Sequence, residues 1–283
     1  MTTFRNLHPL LRILCFAVVF AGIGLTGLGV AHLVDPTGPS DGPGMIITAL
    51  GLIVAAVAAY LFLVVVLEDR RPTELALRRW PGLLGGLLLG GALVLGSAAI
   101  VWALGGLAVD GIRPAGDIPW LTDIVMTGLF AGVVEEILFR GVAFRYLEEW
   151  LGSWPAVLAS AVIFGSVHIF AAGATWLSTA ATIVEAGLLF AMVYLLTRSL
   201  WWVIGVHSAW NFVLSIILGL PVSGNVNEGL LIVRPTGPEY LHGGAYGLES
   251  SVVAFVLLSV VAFVGLWWAH RSGCMRVRSV RTR

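Results

Sequence analysis

The chain has 283 residues, 58% hydrophobic and 11% charged, with 16 basic residues balanced by 16 acidic ones. A soluble globule carries about a quarter of its residues as charges, so this composition excludes an ordinary water-soluble domain and points to lipid as the main solvent. A net charge of zero gives nucleic-acid binding no global support. The two cysteines, Cys15 in an apolar run and Cys274 in a basic tail, suggest no disulfide framework.

Apolar runs of roughly 18 to 25 residues, enough to cross a hydrocarbon core of about 30 Å, recur eight times. They fall at about 11–33, 45–67, 82–107, 121–146, 154–172, 178–196, 200–220 and 250–269. The expected fold is all-α and polytopic, with about eight transmembrane helices. The first run lacks a small-residue cleavage site and reads as a retained span. Every basic residue is an arginine, and all but Arg113 and Arg234 lie at or near one set of loop ends. Positive loops stay inside, which predicts cytoplasmic N- and C-termini in a cytoplasmic-type (inner) membrane. Trp80, Trp150, Trp154, Trp201, Trp202, Trp267 and Trp268 fall near span ends, where amphipathic rings prefer the headgroup level.

The chain divides into four regions. Residues 1–117 carry three helices with a charged connector at 68–80, read as a solvated cytoplasmic link. Residues 118–220 form a four-helix core, 221–249 an external Gly- and Pro-rich loop, and 250–283 the last helix and a basic tail suited to anionic lipid. A second external loop, 34–44, carries turn residues Pro36, Gly38, Pro39 and Gly42.

Ionisable groups at membrane depth cost at least ~2.5 kcal/mol on insertion scales and are functional candidates by default. Glu135, Glu136, His168, Glu185 and His207 are such groups. Glu136 and Arg140 stand four apart on one helix face with the acid first, the favourable order for an ion pair. Glu135 is turned about 100° away and is free to act as base or ligand. Phe164 with His168, and His207 with Asn211, share faces in the same way.

Suppose the fourth helix runs to about Glu149 and Ser153 caps the fifth, with Pro155 in its first turn. Glu135 and His168 then stand about 21 and 22 Å from the turn between them. His207, near ~10 Å above its own turn, reaches a similar depth within the membrane. Glu185 sits deeper and reads as a protonated or hydrogen-bonded packing residue or, alternatively, as one with a role in substrate access.

A buried carboxylate beside two imidazoles suits hydrolysis. The acid takes a proton from water, and neutral imidazoles bind a metal, orient the water or donate to an oxyanion, as the Asn211 amide also can. Alternatively Glu135, His168 and His207 form a two-His, one-carboxylate set for Zn2+ or another divalent metal, although no His-Glu-x-x-His motif is present.

Glu135-Glu136-x-x-x-Arg140, Phe164-x-x-x-His168 and His207-x-x-x-Asn211, in order on three spans, resemble the signature of the CAAX protease and bacteriocin-processing (CPBP, Abi-type) intramembrane proteases. The resemblance covers about 118–220. Thr197–Trp201 and Gly243–Ser250 also resemble patterns among bacterial members. It implies that Glu135 activates water with help from His168, that His207 and Asn211 stabilise the oxyanion, and that Glu136, Arg140 and Phe164 support them. Metal dependence is left open by the resemblance.

The chain thus reads as a CAAX-type intramembrane endopeptidase, possible metalloprotease chemistry included. Its site is expected on the cytoplasmic side, and its partners are membrane lipid and a membrane-associated peptide or protein. One alternative is a catalytically silent scaffold or self-immunity factor on the same fold. A proton-coupled transporter is a third reading, weakened by the absence of paired repeats.

Overall fold

The computed structural model describes residues 2–34 and 42–277. The turn residues Pro36, Gly38 and Pro39 and the tail arginines Arg278, Arg281 and Arg283 lie outside them. Among the described residues, seven helices are long and apolar enough to cross a membrane, and the molecule is a polytopic all-α membrane protein. They match seven of the eight expected runs. In chain order they are α1 (Pro9–Val34), α2 (Gly42–Leu61, continued by a π turn over Phe62–Leu67), α3 (Pro81–Ala103), α5 (Ser153–Val167, ending in a 3-10 turn His168–Phe170), α6 (Trp176–Thr197), α7 (Leu200–Ile217) and α8 (Val252–Arg271).

The eighth run is also helical. Helix α4 extends over 120–151, wound largely in wide π turns across Ile124–Glu135 and Ile137–Phe144. It falls short of the others in apolarity because it carries Asp123, Glu135, Glu136, Arg140 and Arg145. Such π windings recur at functional sites. Gly42, expected in a loop, opens α2 instead.

Two short strands depart from the all-helical expectation. β1 (Leu107–Ile112) pairs antiparallel with β2 (Leu231–Pro235), with an irregularity between Val109 and Gly111. The apolar run expected to continue to 107 stops at Ala103, and Gly105 turns the chain at φ 79°. The ribbon holds Arg234 in a 2.9 Å ion pair with Asp110, and Arg113 lies beside Glu228.

Helices α6 and α7 are enclosed by the rest, whereas α1 lies at the rim. Close backbone approach seats α7. A Cβ on Gly90 of α3 would stand 2.3 Å from the Val206 carbonyl oxygen, and one on Gly86 would stand 2.2 Å from that of Trp202. Only glycine allows this contact. Gly132 of α4 likewise faces Ser208, where a Cβ would lie 2.0 Å from the hydroxyl. These approaches bring α3, α7 and α4 together at the level of Glu136 and His207.

The arginine-rich end is tightly cross-linked, and here the connector differs from the solvated link expected. Glu68 and Glu74 are 3% and 8% exposed. Arg145 Nη1 donates to both Glu68 oxygens at 2.8 and 2.9 Å, Tyr146 donates to Glu68, and Arg70 reaches both Glu68 and Glu74. Tyr60 closes on Glu74 at 2.9 Å. Glu148 is likewise buried and paired with Arg198 and Arg276. Ser153 is the first helical residue of α5 rather than its cap. Its hydroxyl donates to Glu148, and Gly152 at φ 87° makes the turn.

Candidate active site

Helix α4 supplies both acids. Glu136 and Arg140 are fully buried, with Arg140 Nη1 donating to Glu136 Oε1 at 3.0 Å. The same oxygen lies 2.8 Å from His207 Nδ1. Glu136, expected to serve Arg140 alone, therefore bridges α4 to α7. A carboxylate only accepts, so Nδ1 of His207 carries the proton in this contact. Arg140 is held further by the Gly187 carbonyl at 3.3 Å and by the Phe164 ring, 4.4 Å from its guanidinium carbon.

Glu135 points elsewhere. It lines a cavity of about 640 Å³, and its Oε2 is buried without a hydrogen-bond partner. The same cavity is lined by Phe164, His168, His207 and Asn211, so the expected constellation converges on one space.

Each supporting contact leaves a defined atom free. At the end of α5 the His168 N–H turns to Gly165 and Ser166, and the Phe164 carbonyl is left to accept from the His168 ring, 2.8 Å from Nδ1. With Nδ1 as donor, Nε2 of His168 presents a lone pair. Asn211 Nδ2 donates to the Thr127 carbonyl at 3.0 Å, which occupies one of its two N–H groups. Phe164 stands between the imidazoles, its ring 4.8 Å from that of His168 and 6.0 Å from that of His207.

Other residues at the cavity lie outside the three motifs. Phe190 stacks on His207 at 4.7 Å but is one more apolar residue within α6. Glu249 comes from the loop expected to be external. It lines the cavity, accepts from Trp210 Nε1 at 3.2 Å and Ser223 Oγ at 3.1 Å, and burial pushes its carboxyl up. Glu185, expected deeper than the site, lines this same cavity and is 1% exposed.

The cavity's direction also differs from expectation. From Glu135 it runs past Asp123 and Phe170 to Ser223 and Asn225, the end of the bundle opposite the arginine cluster. Toward the arginine-rich end, Arg140, Phe144, Tyr194 and Leu200 fill the interior at 2% exposure or less. Counting residues from the turns brings Glu135, His168 and His207 to one level but does not say which end is packed shut.

Among the described residues, no three His, Cys, Asp or Glu side chains are grouped to hold a metal ion. Nδ1 of each imidazole is engaged, by the Phe164 carbonyl and by Glu136, so Nε2 of His168 and of His207, with Glu135, would be the atoms left to a metal.

A helical membrane bundle with a carboxylate and two imidazoles around one shared cavity defines a class of candidate intramembrane hydrolase. Residues 117–213 match the family model described as type II CAAX prenyl endopeptidase Rce1-like. This stretch holds all three motifs and is similar to that family, in agreement with the resemblance. No curated protein and no solved structure matches the chain.

Proposed function

We propose that this protein is an intramembrane endopeptidase acting on a membrane-associated protein or peptide, with Glu135 as general base. The observation that carries this reading is Glu135, unpaired on the wall of a cavity shared with His168, His207 and Asn211. Water held between Glu135 and Nε2 of His168 loses a proton to the carboxylate as its oxygen attacks the peptide carbonyl carbon. The developing oxyanion is met by Asn211 and by Nε2 of His207, which donates as imidazolium with Glu136 as counter-charge. The C–N bond then breaks, and the proton held by Glu135 passes to the leaving amine.

The family's described substrates are prenylated CAAX peptides, and an apolar wall at Met126, Phe130 and Leu189 suits a lipid-borne chain. With the arginine-rich end and both termini in the cytoplasm, the cavity extends toward the outer face.

The test is cleavage of a quenched peptide library by purified wild-type and Glu135→Gln protein in detergent, with and without chelator. Chelator-resistant cleavage that vanishes in the variant supports the reading. Equal cleavage by both proteins overturns it, and a chelator-sensitive reaction overturns the side-chain-only mechanism.

A further inference from the structure

The cavity continues beyond the motif residues into an acidic lobe that takes in Glu185 of α6 near Glu249, with Asp123 of α4 elsewhere on the same cavity wall. Glu249 is satisfied by Ser223 and Trp210. The other two are not. Glu185 is 1% and Asp123 8% exposed, and each has one carboxylate oxygen, Oε2 and Oδ2 respectively, buried without a hydrogen-bond partner. Neither forms an ion pair among the described residues.

No arginine lines this cavity, and the chain has no lysine. The two imidazoles on its wall are turned by Nδ1 to Phe164 and Glu136. A buried carboxylate without a counter-charge is costly and holds a proton unless a cation reaches it, so Glu185 and Asp123 mark places for a cation brought by the ligand. Phe130 and Phe170 add aromatic faces to the same wall, suited to the aliphatic stem and charged head of a long basic side chain. A free carboxylate would meet only like charge there.

We propose that this cavity wall binds a lysine or arginine side chain of the substrate close to the bond that is cut, with Glu185 and Asp123 as specificity-determining residues. The inference rests on the endopeptidase reading for the cleavage step, but binding is testable alone. Full-length Glu135→Gln protein in detergent is titrated with labelled apolar peptides carrying one lysine, or norleucine in its place, at successive positions. At one or two positions lysine should bind at least tenfold more tightly. Adding Glu185→Gln or Asp123→Asn should cut that ratio below threefold while norleucine binding stays the same.

Equal binding of the two peptides at every position, including none at all, overturns the proposal without relying on any variant's folding. Lysine-selective binding without wild-type cleavage would leave the lobe standing and remove the protease reading. Wild-type cleavage with equal kcat/KM for both peptides would do the reverse.

Discussion

His207 Nδ1 and Arg140 Nη1 converge on a single oxygen of Glu136, at 2.8 and 3.0 Å, so one buried carboxylate ties the α7 imidazole to the α4 guanidinium. Replacing Glu136 by Gln leaves Arg140 buried without its counter-charge. Removing one partner of a buried pair costs about 3–5 kcal/mol, so Glu136→Gln should melt well below wild type and lose activity. An unchanged melting temperature would show that Arg140 has another counter-charge.

Glu135, one residue away, makes no hydrogen bond or ion pair with Arg140 or His207. Glu135→Gln should keep the wild-type melting temperature while hydrolysis falls by about 10²–10⁴, the range for loss of a general base. Thermal melting and cleavage on the same preparation check this. A parallel loss of stability would assign Glu135 a structural role.

Gly90→Ala tests the seat of α7. The added methyl would meet the Val206 carbonyl, a backbone atom that no rotamer change can move aside. Overpacking of this kind costs about 1–3 kcal/mol, and a shifted α7 moves His207. Both melting temperature and activity should fall. Wild-type values for each would mean that α3 and α7 stand further apart than this contact requires.

Acid should loosen the arginine-rich end first. Burial alone would raise the Glu68 carboxyl, but Arg145, with Tyr146 and Arg70 donating, outweighs it and holds the group below its ordinary value. A carboxyl depressed on folding adds stability that is complete above its unfolded value, about 4.3, and is lost as pH falls through the folded value. Melting temperature should therefore drop as pH is lowered below about 5, and Glu68→Gln should flatten that slope. An identical slope in the variant would place the acid sensitivity elsewhere.

Much of this arrangement was legible in the sequence. Spacings of four on helices placed Glu136 over Arg140, Phe164 before His168 and His207 before Asn211, and helical rise brought three spans to one level. What escaped was set by contacts distant in sequence. Glu68 and Glu74 look like solvent-facing charges until Arg145, Tyr146 and Tyr60 surround them. β1 was hidden because Leu107 extends an apolar run. Glu249 reaches the cavity only because its loop folds back over the bundle, and Phe190 and Gly90 carry no chemistry that a pattern could single out.

The α3–α7 glycine contact bears on modularity. The stretch that matches the CAAX-protease family begins at residue 117, but the surface against which its histidine-bearing helix is pressed lies upstream, at Gly86 and Gly90. A chain trimmed to the recognisable segment would keep every reactive side chain and lose the template that sets their spacing. Chemistry and scaffolding are thus drawn from separate stretches of one polypeptide, and the protein is indivisible where its motifs suggest a detachable core.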